Sequence, residues 1–234
     1  MVKQITNLKQ STFWKNDTAG GAMLVAIRNC PSEHVVVHTQ TKKKGRTWGH
    51  MHPDKLMKAI EQNNGIYEVM TKFPYKVYFD IDKPISLNDV STVSFLERIK
   101  AFINETLPNG DMAISGSETD IKLSYHIVLN NYSICSLIDL ALVKSIAKHL
   151  SLTMDSSFDY KVYTPNRNMK CINQSKDDGR VQLIMEDDDC KKHMITCFVS
   201  PHTLPFPTRF SEPIFDTILQ EQATIPFNLG SLPK

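Results

Sequence analysis

The sequence predicts an α/β (α+β) protein with a small N-terminal α/β module, followed from residue 75 by the order strand, helix, strand, strand, helix, strand. Apolar residues recur at helical spacing in two segments, 93–106 and 136–150, and short β-branched or alternating runs surround both segments. With 234 residues, the chain is long enough to bury the core of one large domain or of two small ones. We therefore expect one continuous domain built from two modules.

The N-terminal module covers residues 1–74. β-branched runs at 21–29 and 34–39 predict two strands joined by a turn. The stretch 41–50 is basic and predicts a loop. The segment 52–65 predicts a helix that opens after a His-Pro-Asp sequence and ends at Asn-Asn-Gly.

The second module covers residues 75–200. Its first strand is expected at about 75–81, and its first helix ends at Thr106, before a Leu-Pro-Asn-Gly sequence. The remaining strands are expected at 112–115, 122–129, 169–173 and 181–185, and the second helix is expected at 136–150. This order is that of a ferredoxin- or RRM-like βαββαβ unit. Residues 201–234 hold six prolines and predict an extended segment that wraps on the domain or links it to another part.

Composition and charge indicate where the protein is located and which partners are compatible with it. The sequence has no run of about 18 apolar residues, so we expect no membrane-spanning helix. The N-terminus lacks the apolar region of a signal peptide, and five scattered cysteines fit reduced thiols, so we expect an intracellular and not a secreted protein. The net charge of +2 leaves nucleic acid open as a partner, because a basic cluster at Lys42, Lys43 and Lys44 coexists with an acidic one at 187–189.

Two aspartates at the end of an apolar run are the most informative feature. The run from Tyr75 to Phe79 leads into Asp80 and Asp82, and strand alternation directs both carboxylates to one face. Carboxylates on one face repel each other unless a cation lies between them, and Mg²⁺ or Mn²⁺ suits paired oxygens on a rigid element. The alternative interpretation is a strand end that runs into a polar turn at Lys83.

Two further segments carry side chains suited to phosphate. On the third expected strand of the second module, alternation places Lys122, Ser124 and His126 on one face, where they can donate to phosphate oxygens. The segment 158–176 adds Asp159 and a series of cations. Each segment taken alone is also compatible with a solvated strand face or a polar loop.

Together these segments resemble the archaeo-eukaryotic primase superfamily, in the primase-polymerase branch found in eukaryotes and large DNA viruses. The resemblance spans residues 67–176. Its four pieces are Tyr67 with Glu68 and Val69, the pair Asp80 and Asp82, the triplet Lys122, Ser124 and His126, and Asp159 with the segment 162–176.

The resemblance implies a role for each matching residue. Asp80, Asp82 and Asp159 would hold two catalytic Mg²⁺ or Mn²⁺ ions. Lys170 stands where the family commonly has arginine, and lysine binds phosphate as a point charge rather than as a bidentate fork. The implied nucleotide-binding residues are Lys122, Ser124, His126, Arg167, Lys170, Lys176, Arg46 and, near the sugar, Tyr67.

The resemblance also implies a fold, an activity and partners. The two modules would form the archaeo-eukaryotic primase fold, with the active site in the cleft between them. The chain would be a DNA primase or DNA-directed polymerase that joins NTPs or dNTPs on a single-stranded DNA template, in replication or in repriming past damage. A helicase domain or partner, and a location in the nucleus, the mitochondrion or a viral replication site, follow from the same resemblance. The candidate DNA contacts are Lys42, Lys43, Lys44 and Trp48, and for Trp48 the alternative is core packing.

Two other functions stay open. A metal-dependent nuclease would also use clustered carboxylates and a histidine, but it has no need of Lys122, Lys170 and Lys176 for a triphosphate. A non-catalytic RRM-type module would show stacking aromatics on its sheet, where this chain has aspartates and cations.

A zinc site is not expected, although Cys190, His193 and Cys197 have suggestive spacing. The segment 194–199 predicts a strand rather than a zinc knuckle, and no fourth ligand is evident from the pattern.

Overall fold

The structure, a computed structural model, describes residues 2–7, 11–16, 21–41, 45–62, 65–85, 92–119, 121–153, 157–175, 179–199 and 204–205. Within these ranges the chain forms two β-sheets and four α-helices, so the mixed class of fold is confirmed as α+β. None of these helices combines the length and apolar composition that crossing a membrane requires. In chain order the elements are β1 (Val2–Asn7), β2 (Ser11–Asn16), α1 (Gly21–Arg28), β3 (Val35–Thr41), β4 (Gly45–Met51), α2 (Pro53–Ile60), β5 (Ile66–Val69), β6 (Tyr75–Pro84), α3 (Thr92–Thr106), β7 (Met112–Thr119), β8 (Lys122–Ile134), α4 (Leu137–Thr153), β9 (Asn168–Lys170), β10 (Leu183–Glu186) and β11 (Leu204–Pro205).

The first sheet has the strand order β1-β2-β4-β3-β5-β9, and every neighbouring pair is antiparallel. Helix α1 packs on one face, where Ala26 is buried with Val36. Helix α2, which the sequence predicts, packs on the other face and buries Leu56 and Ile60 with Val37. Because Val36 and Val37 are consecutive strand residues, their burial on opposite faces gives this sheet a helix on each side.

Two expectations for the N-terminal module are wrong. Residues 21–29, predicted as a strand, contain helix α1, because Ala22 and Ala26 lie four residues apart on one helical face and are fully buried. The stretch 41–50, predicted as a loop, contributes β4, which pairs along its whole length with β3. Packing and pairing with distant residues therefore override the local pattern in both segments.

The second sheet contains β10, β7, β8 and β6 in that order, and β11 pairs in parallel with β8. The predicted order holds through β6, α3, β7, β8 and α4. It fails at the last strand, because β9 joins the first sheet beside β5, and β10 lies beside β7 instead of β6. Within the described residues, the outer edge of β6 carries a single isolated bridge, between Ile81 and Phe158.

Residues 194–199, predicted as a strand, are irregular. The amides of Ile195 and Thr196 donate to the buried carboxylate of Glu68, at 2.9 and 2.8 Å. Their donors are therefore used by a side chain and not by a neighbouring strand. The division of the chain at residues 74 and 200 stays a prediction.

The largest core contains residues from both faces of the second sheet, including the consecutive Tyr78 and Phe79 of β6. Phe79 and Ile81 of β6 are fully buried there, together with Ile99 of α3 and Val143 of α4. Since successive strand side chains point to opposite faces, Asp80 and Asp82 point to the face opposite to Phe79 and Ile81.

Candidate active site

Asp80 and Asp82 lie on the face of β6 opposite to that of the buried Phe79 and Ile81. In the register between β6 and β8, Asp80 is paired with His126 and Asp82 with Ser124. His126 Nε2 lies 3.7 Å from Asp80 Oδ1, and both side chains are largely buried. Paired residues of an antiparallel ladder lie on the same face, so the strand places these four side chains together, as alternation predicts.

Asp159 reaches the same face through backbone pairing with β6. Its amide donates to the carbonyl of Asp80 (2.8 Å), and the amide of Asp82 donates to the carbonyl of Ser157 (2.8 Å). This antiparallel bridge sets Asp159 opposite Asp80 and Ser157 opposite Asp82. The three aspartates that the sequence singles out therefore lie at neighbouring backbone positions.

Besides the contact between Asp80 and His126, the other two aspartate side chains also have close polar partners. Asp82 Oδ2 lies 2.8 Å from Lys122 Nζ, and Asp159 Oδ1 accepts from the amide of Lys161 (2.9 Å) at the start of a 3-10 turn. In the described part of the chain, no group of three or more His, Cys, Asp or Glu side chains is arranged to hold a metal ion. A bound cation would therefore require these side chains to rotate away from their present partners.

The atom types around Asp82 nonetheless suit a hard divalent cation. The hydroxyls of Ser124 and Ser157, at the backbone positions on either side of Asp82, are buried and have no hydrogen-bond partner among the described residues. A buried hydroxyl without a partner costs free energy, which a metal-bound water or a phosphate oxygen would offset. Carboxylate oxygens and water are the ligands that Mg²⁺ and Mn²⁺ prefer, so these residues fit such an ion in ligand type.

Lys122 supplies a positive charge to this acidic face. Its side chain and that of Asp82 are 31% and 34% exposed, so the pair is partly screened by solvent. Exposed ion pairs contribute about 0–1 kcal/mol to stability. A pair this weak can be exchanged for a stronger interaction with a metal ion or a phosphate.

A second group, which contains the predicted residues Trp48, Tyr67 and Lys170, lies on one face of the first sheet. Trp48, His38, Tyr67 and Lys170 are register neighbours, in that order, across β4, β3, β5 and β9. The His38 ring lies 4.9 Å from Trp48 and 5.0 Å from Tyr67, and Lys170 Nζ lies 5.4 Å from the centre of the Tyr67 ring. Burial, followed by the charge of Arg46, lowers the pKa of His38 to about 4, so its imidazole is neutral at pH 7.

The remaining predicted residues lie at the edges of these groups or outside the described chain. Arg46 is exposed on β4, on the same face as Trp48. Trp48 is half-buried against His38 and α1, which agrees with packing. Arg167 is exposed, and its carbonyl accepts from the amide of Met70 (3.0 Å). Outside the described residues lie Lys42, Lys43, Lys44 and Lys176.

Sequence reasoning did not single out three residues that the fold brings to these groups. Ser157 precedes Asp159 by two residues, so strand alternation around Asp159 could have identified it. His38 carried no local signal, because its position between two aromatic rings depends on the order of strands in the sheet. Lys148 of α4 carried no local signal either, and it lines the same cavity as Asp82.

The cysteines and histidine with zinc-like spacing have other neighbours. His193 Nε2 lies 2.7 Å from the carbonyl of Asp187, and Cys197 Sγ lies 3.9 Å from a Glu68 oxygen. Burial raises the pKa of the Cys197 thiol, which favours the protonated form over the thiolate that binds zinc. The expectation that no zinc is bound stays a prediction.

The chain matches no protein-family model and no curated protein. The resemblance to primase-polymerases therefore depends on the motifs of the sequence alone.

Proposed function

We propose that this chain is a primase-polymerase catalytic domain, a DNA primase or DNA-directed polymerase that joins nucleotides on a single-stranded DNA template. One observation carries the proposal: Asp80, Asp82 and Asp159 occupy neighbouring backbone positions on one polar face, with Lys122 and His126 beside them. Clustered carboxylates flanked by cations are what transfer of a nucleotidyl group requires.

The carboxylates are the proposed metal ligands. Asp80, Asp82 and Asp159 would hold two Mg²⁺ or Mn²⁺ ions, which when bound lower the pKa of an attacking hydroxyl and stabilise the charge of the leaving pyrophosphate. The orphaned hydroxyls of Ser124 and Ser157 support this assignment, because they lie next to Asp82 and have unused hydrogen-bonding capacity.

The cations are the proposed triphosphate ligands. The 3′-oxygen of one nucleotide forms a bond to the α-phosphorus of the next, the bond from that phosphorus to the β-phosphate breaks, pyrophosphate leaves with the electron pair, and the hydroxyl proton passes to solvent. Lys122 and His126 neutralise oxygens of the triphosphate during this step. His126, whose Nε2 lies 3.7 Å from Asp80 Oδ1, acts as a hydrogen-bond donor to the triphosphate rather than as a base.

The resemblance also implies an active site between the two modules, and one contact between distant segments supports this prediction. The hydroxyl of Tyr163 donates to the carbonyl of Tyr78 (2.7 Å), two residues before Asp80 on β6. The chain then continues to β9 of the first sheet. Asp159, which is paired with β6 of the second sheet, and Lys170 of β9 therefore lie on one short segment that is anchored to β6. Lys170, Tyr67 and Arg46 would on this basis complete the nucleotide site from the first sheet.

The test is synthesis on an unprimed single-stranded DNA template with labelled ATP or dATP, with Mg²⁺ and with Mn²⁺, read for product length. Extension of a primed template is measured beside it. We expect products that depend on the template and on the divalent cation. Absence of product in both reactions would contradict the proposal. Template cleavage without nucleotide binding would favour a nuclease, and DNA binding without either activity would favour a non-catalytic module.

A further inference from the structure

Three histidines lie on one face of the first sheet, where β3 begins and β4 ends. His50 and His52 are two residues apart in extended backbone, so strand alternation directs both side chains to one face. The register of β3 and β4 reaches as far as the pair of Val35 and Met51, and His34 and His52 come next in the same order. His34, His50 and His52 therefore form one histidine group.

The rings of the histidine group already lie close together. Nδ1 of His34 is 2.9 Å from Nδ1 of His50, and the centre of the His34 ring lies 5.1 Å from that of His50 and 6.1 Å from that of His52. Two nitrogens bound to one metal ion at about 2.0–2.1 Å lie about 2.8–3.4 Å apart, depending on the angle at the metal. The spacing of His34 and His50 is therefore that of two ligands of one ion, as well as that of a hydrogen bond.

His52 is the candidate third ligand. In the described part of the chain no three such side chains converge on one point, so the His52 ring has to turn toward the pair, and its 45% exposure leaves room for this rotation. Nδ1 of His52 lies 3.3 Å from the amide of Asp54 and 3.5 Å from Oδ2 of the same residue. When the ring donates from Nδ1 to this carboxylate, the lone pair of Nε2 is left for a metal ion, as in carboxylate–histidine–metal triads.

The surroundings of the histidine group are compatible with a cation. Trp14 packs against the His50 ring, with the ring centres 5.8 Å apart. A cavity of about 270 Å³ adjoins the group and is lined by His34, Glu33 and Lys72. The ammonium group of Lys72 donates to two backbone carbonyls of the turn before β3, at 3.0 and 3.4 Å, and the carboxylate of Glu33 offsets its charge.

We propose that His34, His50 and His52 bind a divalent transition-metal ion of the class that imidazole prefers, Zn²⁺, Ni²⁺ or Cu²⁺, with solvent at the remaining positions of the ion. The bound ion links the segment before β3 to the end of β4 and the start of α2. This inference goes beyond the proposed nucleotidyl transfer and does not depend on it.

This site is separate from the proposed catalytic ions in both ligand type and place. Carboxylate oxygens would hold the catalytic ions, whereas imidazole nitrogens form this site. His50 lies four residues, about 13 Å along β4, from Arg46 of the proposed nucleotide site. The cysteines and the histidine of segment 190–197, for which zinc is not expected, are not part of the group.

The test is binding of Co²⁺ to the full chain, followed by visible absorption, in an excess of Mg²⁺ that occupies the proposed carboxylate site. The variants are His34→Gln, His50→Gln and His52→Asn, and asparagine at 52 keeps a side chain that can cap α2. His149→Gln, at an exposed histidine of α4, is the matched control. Circular dichroism and urea unfolding without metal check that each variant folds.

We expect one Co²⁺ per chain, with the absorption bands of a four- or five-coordinate nitrogen site, and displacement of the Co²⁺ by Zn²⁺. Each variant of the histidine group should weaken Co²⁺ binding at least about 100-fold, because loss of a residue that only orients a ligand already costs about 10–100-fold. Asp54→Asn should accordingly weaken binding about tenfold, and His149→Gln should stay within about twofold of the unchanged protein.

Equal Co²⁺ affinities in the three histidine variants and in the control would overturn the inference. Loss of affinity in His34→Gln and His50→Gln but not in His52→Asn would overturn the three-ligand site, and thiolate charge-transfer bands would assign the ion to cysteines instead. Should a glutamine variant fail to fold, nitrogen NMR of the unchanged protein decides: metal-induced shifts of three imidazoles support the site, and their absence overturns it. Failure of the proposed function is a different result, because Co²⁺ binding requires neither substrate nor synthesis.

Discussion

The ammonium group of Lys122 lies 2.8 Å from Oδ2 of Asp82, although Lys122 is paired with Pro84 and not with Asp82 in the register of β6 and β8. The lysine therefore reaches diagonally along the sheet to a carboxylate two residues away from its partner. Its charge contacts an oxygen of one of the proposed metal ligands. Metal and lysine are thus expected to compete for one oxygen, and the released lysine becomes available to phosphate.

The Lys122→Ala variant should bind Mn²⁺ more tightly and nucleotide more weakly. Removal of the lysine leaves the negative charge of Asp82 uncompensated, which we expect to raise the Mn²⁺ affinity by about threefold to tenfold, or about 0.7–1.4 kcal/mol. Titration followed by electron paramagnetic resonance measures the Mn²⁺ affinity. Lys100→Ala is the control, because Lys100 pairs with Glu97 and Glu186. Equal Mn²⁺ affinities in the two variants would refute the competition.

Asp80→Asn and Asp82→Asn should each abolish synthesis while single-stranded DNA binding stays within about twofold. Asparagine keeps the shape of the side chain but removes the charge that holds a cation, and loss of a metal ligand is expected to lower the rate by at least about 100-fold. Primer extension and fluorescence anisotropy measure the two properties. Asp54→Asn, at an exposed aspartate of α2, should retain both. Loss of both properties to the same extent would count against a metal-ligand role.

The free energy of unfolding should decrease as the pH is lowered, because His38 is buried in its neutral form. The pKa of this imidazole is about 4 in the folded chain, against an ordinary value of 6.5. Between these two values the unfolded chain binds a proton that the folded chain does not, so the stabilising contribution is complete above about pH 6.5 and is lost as the pH falls to about 4. The shift corresponds to a change in the free energy of unfolding on the order of 3 kcal/mol.

His38→Phe provides the comparison for this pH dependence. It keeps a ring between Trp48 and Tyr67 but cannot titrate. Urea unfolding at several pH values from 4 to 7 should show a shallower decline for His38→Phe than for the unchanged protein. The same slope in both proteins would show that His38 is not the group responsible.

Glu68→Gln should destabilise the fold. The buried carboxylate of Glu68 accepts from the amides of Ile195 and Thr196 and from the Thr196 hydroxyl (2.6 Å). Burial raises the pKa of Glu68, and these hydrogen bonds oppose the rise. Both oxygens of Glu68 accept from donors, so the amide nitrogen of the variant would face an N–H or O–H group and could not accept from it. We therefore expect a loss of about 2–4 kcal/mol in the free energy of unfolding. Urea unfolding measures the loss, and Glu61→Gln at the exposed end of α2 should change it by less than about 0.5 kcal/mol.

Much of the second module could be predicted because its signals are local. The helical spacing of Phe95, Ile99 and Ile103 predicts α3, and these residues are indeed buried in the core. Alternation likewise predicts that Asp80 and Asp82 share a face, because strand geometry within a few residues decides it. The local pattern wrongly predicted a strand where α1 forms. The burial of Ala22 and Ala26 against the first sheet is what favours the helix.

The sequence by itself determined the residue types of the candidate site and which of them share a face within one strand. Only the tertiary structure decided that Asp159 lies opposite Asp80 and that Lys122 reaches Asp82. The bridge between Ile81 and Phe158 joins segments that lie far apart in the chain, and backbone amides and carbonyls form it. Every residue except proline carries the same backbone donor and acceptor, so the side chains give no signal for such a pairing. Packing of the two segments into one core, through Phe79 and Phe158, selects it.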